Sequence, residues 1–163
     1  MRAVTLIAVV ALALAASAAA APTGGVRAVF TVQFPKGHPA SNEPCDPDAF
    51  CGVGEVTGFG KATITILDET FDEIAGSPCF AVTRVESIDL VEGTGSLVLQ
   101  SAGTFCRPGG SGDSNAGPSS YGSPGSFELT YTIGDGTGVF AGASGSGSEE
   151  MRVAGGIGVW QLS

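Results

Sequence analysis

Arg84 and Glu86 are the two side chains in this sequence whose type and spacing most invite chemistry. They alternate with Phe80, Val82, Ile88 and Leu90 along a run that reads as a β-strand, so they share the face its apolar residues bury. A charge inside a protein is costly unless it is paired, and ionisable groups on an apolar face are frequent at binding and catalytic sites. Two plainer arrangements stand beside that one: a salt bridge at the rim of the fold, or a bulge that turns both side chains outward. In the functional reading Arg84 and Glu86 are candidate ligand-binding contacts, and no catalytic residue can be assigned.

Other constellations are weaker. A Ser/His/Asp hydrolase would have to use His38, the one histidine, and Ser41 three residues on in a proline-rich stretch is not a triad. Asp46 with Asp48, and Asp68 with Asp72, could ligate calcium, but no glycine-kinked, oxygen-rich loop surrounds them. Glu149-Glu150 reads as a charged edge that discourages strand-to-strand aggregation. The run from Gly136 to Ala141 has the G-x-G-x-x-A spacing of a dinucleotide loop, yet the glycines that follow leave no helix to hold a pyrophosphate. Gly60-Lys61-Ala62 lacks the Ser or Thr that a phosphate-binding loop needs. No metal and no cofactor are expected.

Four cysteines in an exported chain favour disulfides. Cys45 and Cys51 bracket a short turn-rich stretch, while Cys79 and Cys106 flank two strand-like runs joined at Glu92-Gly93-Thr94-Gly95. A turn centred between Glu92 and Gly93 sets Cys79 opposite Cys106, Arg84 opposite Ser101 and Glu86 opposite Leu99. Cross-strand neighbours are close enough to be bridged, so the expected pairs are Cys45–Cys51 and Cys79–Cys106.

The elements that must position these groups are strands. Val26, Ala28, Phe30, Val32 and Phe34 alternate with polar residues, as do Ala62, Ile64 and Ile66, and as do Phe127, Leu129, Tyr131 and Ile133. Leu97, Leu99 and Phe105 complete the apolar face of the central hairpin. Further strands are expected over 52–59, 146–153 and 157–162, with one short helical turn over Asp68 to Ile74. Residues 107–126 are almost purely Gly, Ser and Pro; they bury too little apolar area to offset their ordering entropy and read as a flexible loop. The expected fold is all-β, an antiparallel barrel of about eight strands or, alternatively, a β-sandwich.

Arg2, an apolar run over 3–16 and the small residues Ser17 to Ala21 read as a secretory signal peptide spanning 1–20. The expected mature chain, 21–163, is a single secreted, extracellular domain with no membrane span. Its six basic and sixteen acidic residues give a formal charge of −10, which excludes nucleic acid as a partner.

The segment Ile133-GDGTGVFAGASGSGS resembles the glycine-rich signature of allene oxide cyclase-like barrels, of which dirigent-like proteins and secreted bacterial proteins carry versions. Cys51-GVGEVTGFG is similar to the bacterial branch. Gly134, Gly136 and Gly138 permit a tight turn, Phe140 plugs a barrel end, and Gly142, Gly145 and Gly147 let the next strand bend. The signature carries no reactive group. The resemblance implies an eight-stranded antiparallel barrel, monomeric or homotrimeric, with an apolar interior that takes a hydrophobic or phenolic small molecule without a cofactor. The alternatives are a cofactor-independent cyclase or isomerase on the same barrel, and a cell-surface structural or interaction protein that uses residues 107–126 as its contact.

Overall fold

A computed structural model describes residues 23–33, 50–107, 124–154 and 157–163. Eight strands follow in chain order: β1 (Ala28–Gln33), β2 (Cys51–Val56), β3 (Gly60–Glu73), β4 (Cys79–Leu90), β5 (Ser96–Cys106), β6 (Gly125–Gly136), β7 (Ser146–Ala154) and β8 (Ile157–Leu162). Each pairs antiparallel with its neighbours, and β8 pairs back onto β1 to close an up-and-down barrel. Closure excludes the sandwich. Period-two alternation is what permits it: one face of every strand can be apolar throughout, and a closed ring turns eight such faces onto one interior. Phe30, Ile64, Ile88, Leu97, Leu99 and Trp160 are wholly buried there.

The central hairpin has the expected register. Cys79 faces Cys106, Arg84 faces Ser101 and Glu86 faces Leu99. Cys79 and Cys106 form a disulfide. Cys51 is also disulfide-bonded, and Cys45, the partner expected for it, lies outside the described residues, as do 1–22.

Three local expectations change. Asp68–Glu73 is not a helical turn but the second half of β3, which continues past a bulge where Ile66 faces Glu86 and Asp68 faces Val85. Leu67 is the unpaired extra residue, and it reverses which side chains point inward. Strand β2 ends at Val56, leaving Thr57–Phe59 to the turn. Strand β6 starts at Gly125, so the last two residues of the expected 107–126 loop belong to the sheet.

The glycine-rich segment closes one end. Gly138 (φ 57°) opens a single 3-10 turn over Gly138–Phe140, and Phe140 is fully buried against Phe59 at 4.7 Å between ring centroids. Gly136 and Gly147 serve by absence rather than by angle: a Cβ on the first would collide with the Phe140 carbonyl, and on the second with the Tyr131 hydroxyl. The short connections 57–59, 91–95 and 137–145 all lie at this end. At the opposite end lie the β3–β4 turn, the Cys79–Cys106 bridge and the strand ends from which the two longest connections, 34–50 and 107–124, depart.

The bridge ties residues separated by 27 positions, a loop whose closure removes about 3–4 kcal/mol of unfolded-state entropy. A Cys79→Ala/Cys106→Ala variant is expected to lose roughly that much in urea unfolding, with the barrel circular-dichroism spectrum kept. A loss under about 1 kcal/mol would show that the native hairpin gains nothing from the bond.

Candidate functional site

Strand β4 carries Arg84 and Glu86 on its inner face, and the structure places both inside the barrel rather than at the rim or outside it. Their side chains are wholly shielded from solvent. The bulge is on the neighbouring strand. Because Leu67 shifts the alternation of β3, Glu69 and Phe71 point inward, and Glu69 falls opposite Arg84.

Six strands contribute to what surrounds the guanidinium. Arg84 Nε donates to Glu69 Oε1 from β3, and Nη1 lies 3.5 Å from Glu149 Oε1 on β7 and 3.9 Å from Glu86 Oε1. Ser101 on β5 donates its hydroxyl to Glu86 Oε2 at 3.2 Å. Phe127 from β6 presents its ring face 3.9 Å from the guanidinium carbon, and Trp160 from β8 lies 5.4 Å away. Ring faces attract cations, the more so where water is excluded. Arg84, Glu86 and Glu149 show no solvent-accessible side-chain surface, and Glu69 shows 6%.

Three carboxyl groups therefore share one guanidinium in a dry interior. Burial, reinforced by the charge of Glu149, pushes the Glu86 carboxyl well above the usual carboxylate range, against the pull of Arg84 and Ser101. Burial raises Glu149 too, with Ser101, Arg84 and hydrogen bonds to Trp160 and Glu86 drawing it part of the way back. The two carboxyls titrate as a pair: one proton between them removes the repulsion of two buried anions. Such an arrangement can hold a proton, give it up and take it back. Tyr131 is held by its backbone neighbour, accepting from the Val26 N–H at 2.6 Å and donating to the Val26 carbonyl at 2.9 Å. Burial raises its phenol.

Above Arg84, toward the end with the long connections, lies an aromatic group. The Phe105 and Phe127 rings pack tilted with centroids 4.4 Å apart, Phe71 sits 6.2 Å from Phe105, and Phe80 lies 6.5 Å from both Phe71 and Phe105. Phe105 and Phe127 are buried, whereas Phe71 and Phe80 are half-exposed at the mouth.

Sequence reasoning placed Arg84 and Glu86 on the inner face but missed Glu69 and Glu149. Glu149 is not the edge charge expected of it: a closed barrel has no edge there, and Glu149 is fully buried while Glu150 faces solvent. Its alternation with Met151 and Val153 was the available signal. Glu69 had none, since only the bulge turns it inward. Asp68 and Asp72 sit on the exposed outer face of β3. His38, Ser41, Asp46 and Asp48 lie outside the described residues. Among the described residues no group of His, Cys, Asp and Glu is placed to hold a metal ion, and no helix is long and apolar enough to cross a membrane.

Comparison with protein-family models, curated proteins and solved structures finds no match for this chain.

Folded-state values above the usual 4.5 set the sign of the pH dependence. The stability these carboxyls contribute is complete below that value and is lost as pH rises through the raised one. Unfolding free energy is therefore expected to fall as pH rises from the usual carboxylate range through the raised value, and Glu86→Gln, which mimics the protonated form, to flatten that slope in urea unfolding followed across pH. An unchanged slope in the variant would place the proton elsewhere.

Proposed function

We propose that this protein is an exported barrel of the allene oxide cyclase-like kind that binds an apolar or phenolic small molecule through its aromatic end. The observation that carries this reading is the half-exposed pair Phe71 and Phe80, backed by Phe105 and Phe127, directly above a buried guanidinium. Exposed aromatic surface that leads inward to a few convergent polar groups is the usual make-up of a small-molecule site. Both long connections leave from the same end, and long connections on a rigid scaffold are where binding contacts concentrate. Ligand binding of this sort needs no cofactor. The Cys79–Cys106 disulfide fits a non-cytoplasmic protein, in keeping with export by the 1–20 segment.

A second reading, a cofactor-independent cyclase or isomerase, is favoured by the Glu86–Glu149 pair. A carboxylic acid and a carboxylate side by side under an apolar mouth can protonate a bound substrate at one atom and take a proton from another, the balance an isomerisation requires.

The single tryptophan, Trp160, lies inside the barrel near Arg84, so its emission reports on occupancy. Titration with butylphenol is expected to change that emission saturably and to give a one-to-one adduct in native mass spectrometry. Phe80→Ala should weaken binding about tenfold, the equivalent of about 1.4 kcal/mol. An unchanged affinity in that variant would rule out the aromatic end as the site. Catalysis would appear as turnover of an unsaturated epoxide that Glu86→Gln abolishes, and binding without turnover would leave the first reading alone.

A further inference from the structure

Glu149 accepts hydrogen bonds from the Trp160 indole N–H and from Glu86, and Glu86 in turn accepts from Ser101 at 3.2 Å. A hydrogen bond between two carboxyl groups exists only while one of them carries a proton. Among the described residues, the groups that face this pair can be named strand by strand. Strand β4 brings Arg84 and Glu86, β3 brings Glu69, β6 brings Tyr131 and β7 brings Glu149, while Ser101 on β5 and Trp160 on β8 add donors. The inner faces of β1 and β2 carry Ala28, Phe30, Val32, Gly52, Gly54 and Val56, none of them ionisable. With one proton held between Glu86 and Glu149, two carboxylates face one guanidinium. Without it there are three, and the bond between Glu86 and Glu149 becomes a repulsion. Burial and the charge of Glu149 place that loss above the usual carboxylate range.

A second uncompensated anion in a dry interior has to take up water. The two ends of the barrel do not resist this equally. At the sealed end the fully buried Phe140 sits on a turn that is bonded to its neighbour through the backbone, Val139 N–H to the Thr94 carbonyl at 3.1 Å and Thr137 N–H to the Ser96 carbonyl at 2.8 Å. At the mouth the cover is made of rings. Phe127 lies 3.9 Å from the guanidinium carbon, Phe105 packs against it, and the half-exposed Phe71 and Phe80 stand beyond. Phenyl rings have no hydrogen bonds to break and turn aside by side-chain rotation.

We propose that the proton shared by Glu86 and Glu149 latches the mouth: while it is held, Phe105 and Phe127 close over a dry cluster, and when it leaves, water enters past these rings with the closed barrel intact. Access to the interior is then a function of pH, shut on the acid side and open on the alkaline side. The latch does not depend on the small-molecule reading, since anything that enters by the mouth meets the same rings.

Trp160, the single tryptophan, borders the cluster, so collisional quenching of its emission by acrylamide measures entry. The intact, oxidised protein is followed without denaturant from acid to mildly alkaline buffer, short of the range in which tyrosine ionises, with far-ultraviolet circular dichroism recorded on the same samples. The quenching constant is expected to rise several-fold in a one-proton transition while the barrel spectrum stays constant. Glu86→Gln and Glu149→Gln each leave two carboxylates on the guanidinium at every pH, and both should keep the low, acid-side quenching throughout. Phe127→Ala removes the cover and should quench strongly even in acid; low acid-side quenching in that variant would exclude the mouth as the route. Flat quenching in the wild-type protein would overturn the proposal, as would an equal rise in both glutamine variants. A rise that comes only with loss of the barrel spectrum would mean global unfolding and would overturn it as well.

Discussion

A guanidinium shut inside a barrel must be neutralised by carboxyl groups that arrive on other strands. Arg84 meets this requirement across β3 and β7 as well as on its own strand β4, and the rest of the interior is arranged around it. The bulge at Leu67 exists at the level where Glu69 has to turn inward. Ser101, opposite Arg84 in the hairpin, satisfies the oxygen of Glu86 that Arg84 does not reach. Phe127 and Trp160 supply ring faces where a polar neighbour would have admitted water. The charge does not obviously add stability, because apolar packing of the same volume often does as well as a buried ion pair or better. Its retention in an otherwise apolar core is the main reason to look for function there.

The two ends of the barrel divide the labour. At one, short turns, a 3-10 turn and the buried Phe140 ring seal the interior through backbone contacts that tolerate no side chain at Gly136. At the other, four phenylalanines and a disulfide frame the opening from which the long connections depart. The chain thus holds its register from the sealed end and from the Cys79–Cys106 bridge.

Much of the fold was legible in the sequence because period two is a geometric property of a strand, and it survives in the order of residues. The register of β4 on β5 followed from a single turn and the position of two cysteines. Arg84 and Glu86 were legible for the same reason. Glu149 was readable in principle from Met151 and Val153, but a pair of adjacent glutamates suggested an exposed edge more strongly than the alternation suggested a core. Glu69 was not readable. A bulge depends on how β3 meets β4 over many residues, and acidic residues flanking Leu67, Phe71 and Ile74 fit a helical turn as well as a shifted strand. Charge neutralisation is a property of the closed ring, and no single strand encodes it.

Ring closure has one more consequence. A sheet with free edges can recruit another chain by backbone hydrogen bonding, and proteins guard such edges with charge. Here β1 and β8 are joined, so neither of these two strands is left to act as a template. The apolar side chains Val29, Ile157 and Val159 lie exposed on the outer faces of those same two strands, but contact through them is contact between surfaces. Contact through those side chains brings two strongly acidic surfaces together, so it is opposed by their charge and eased by the salt that screens it.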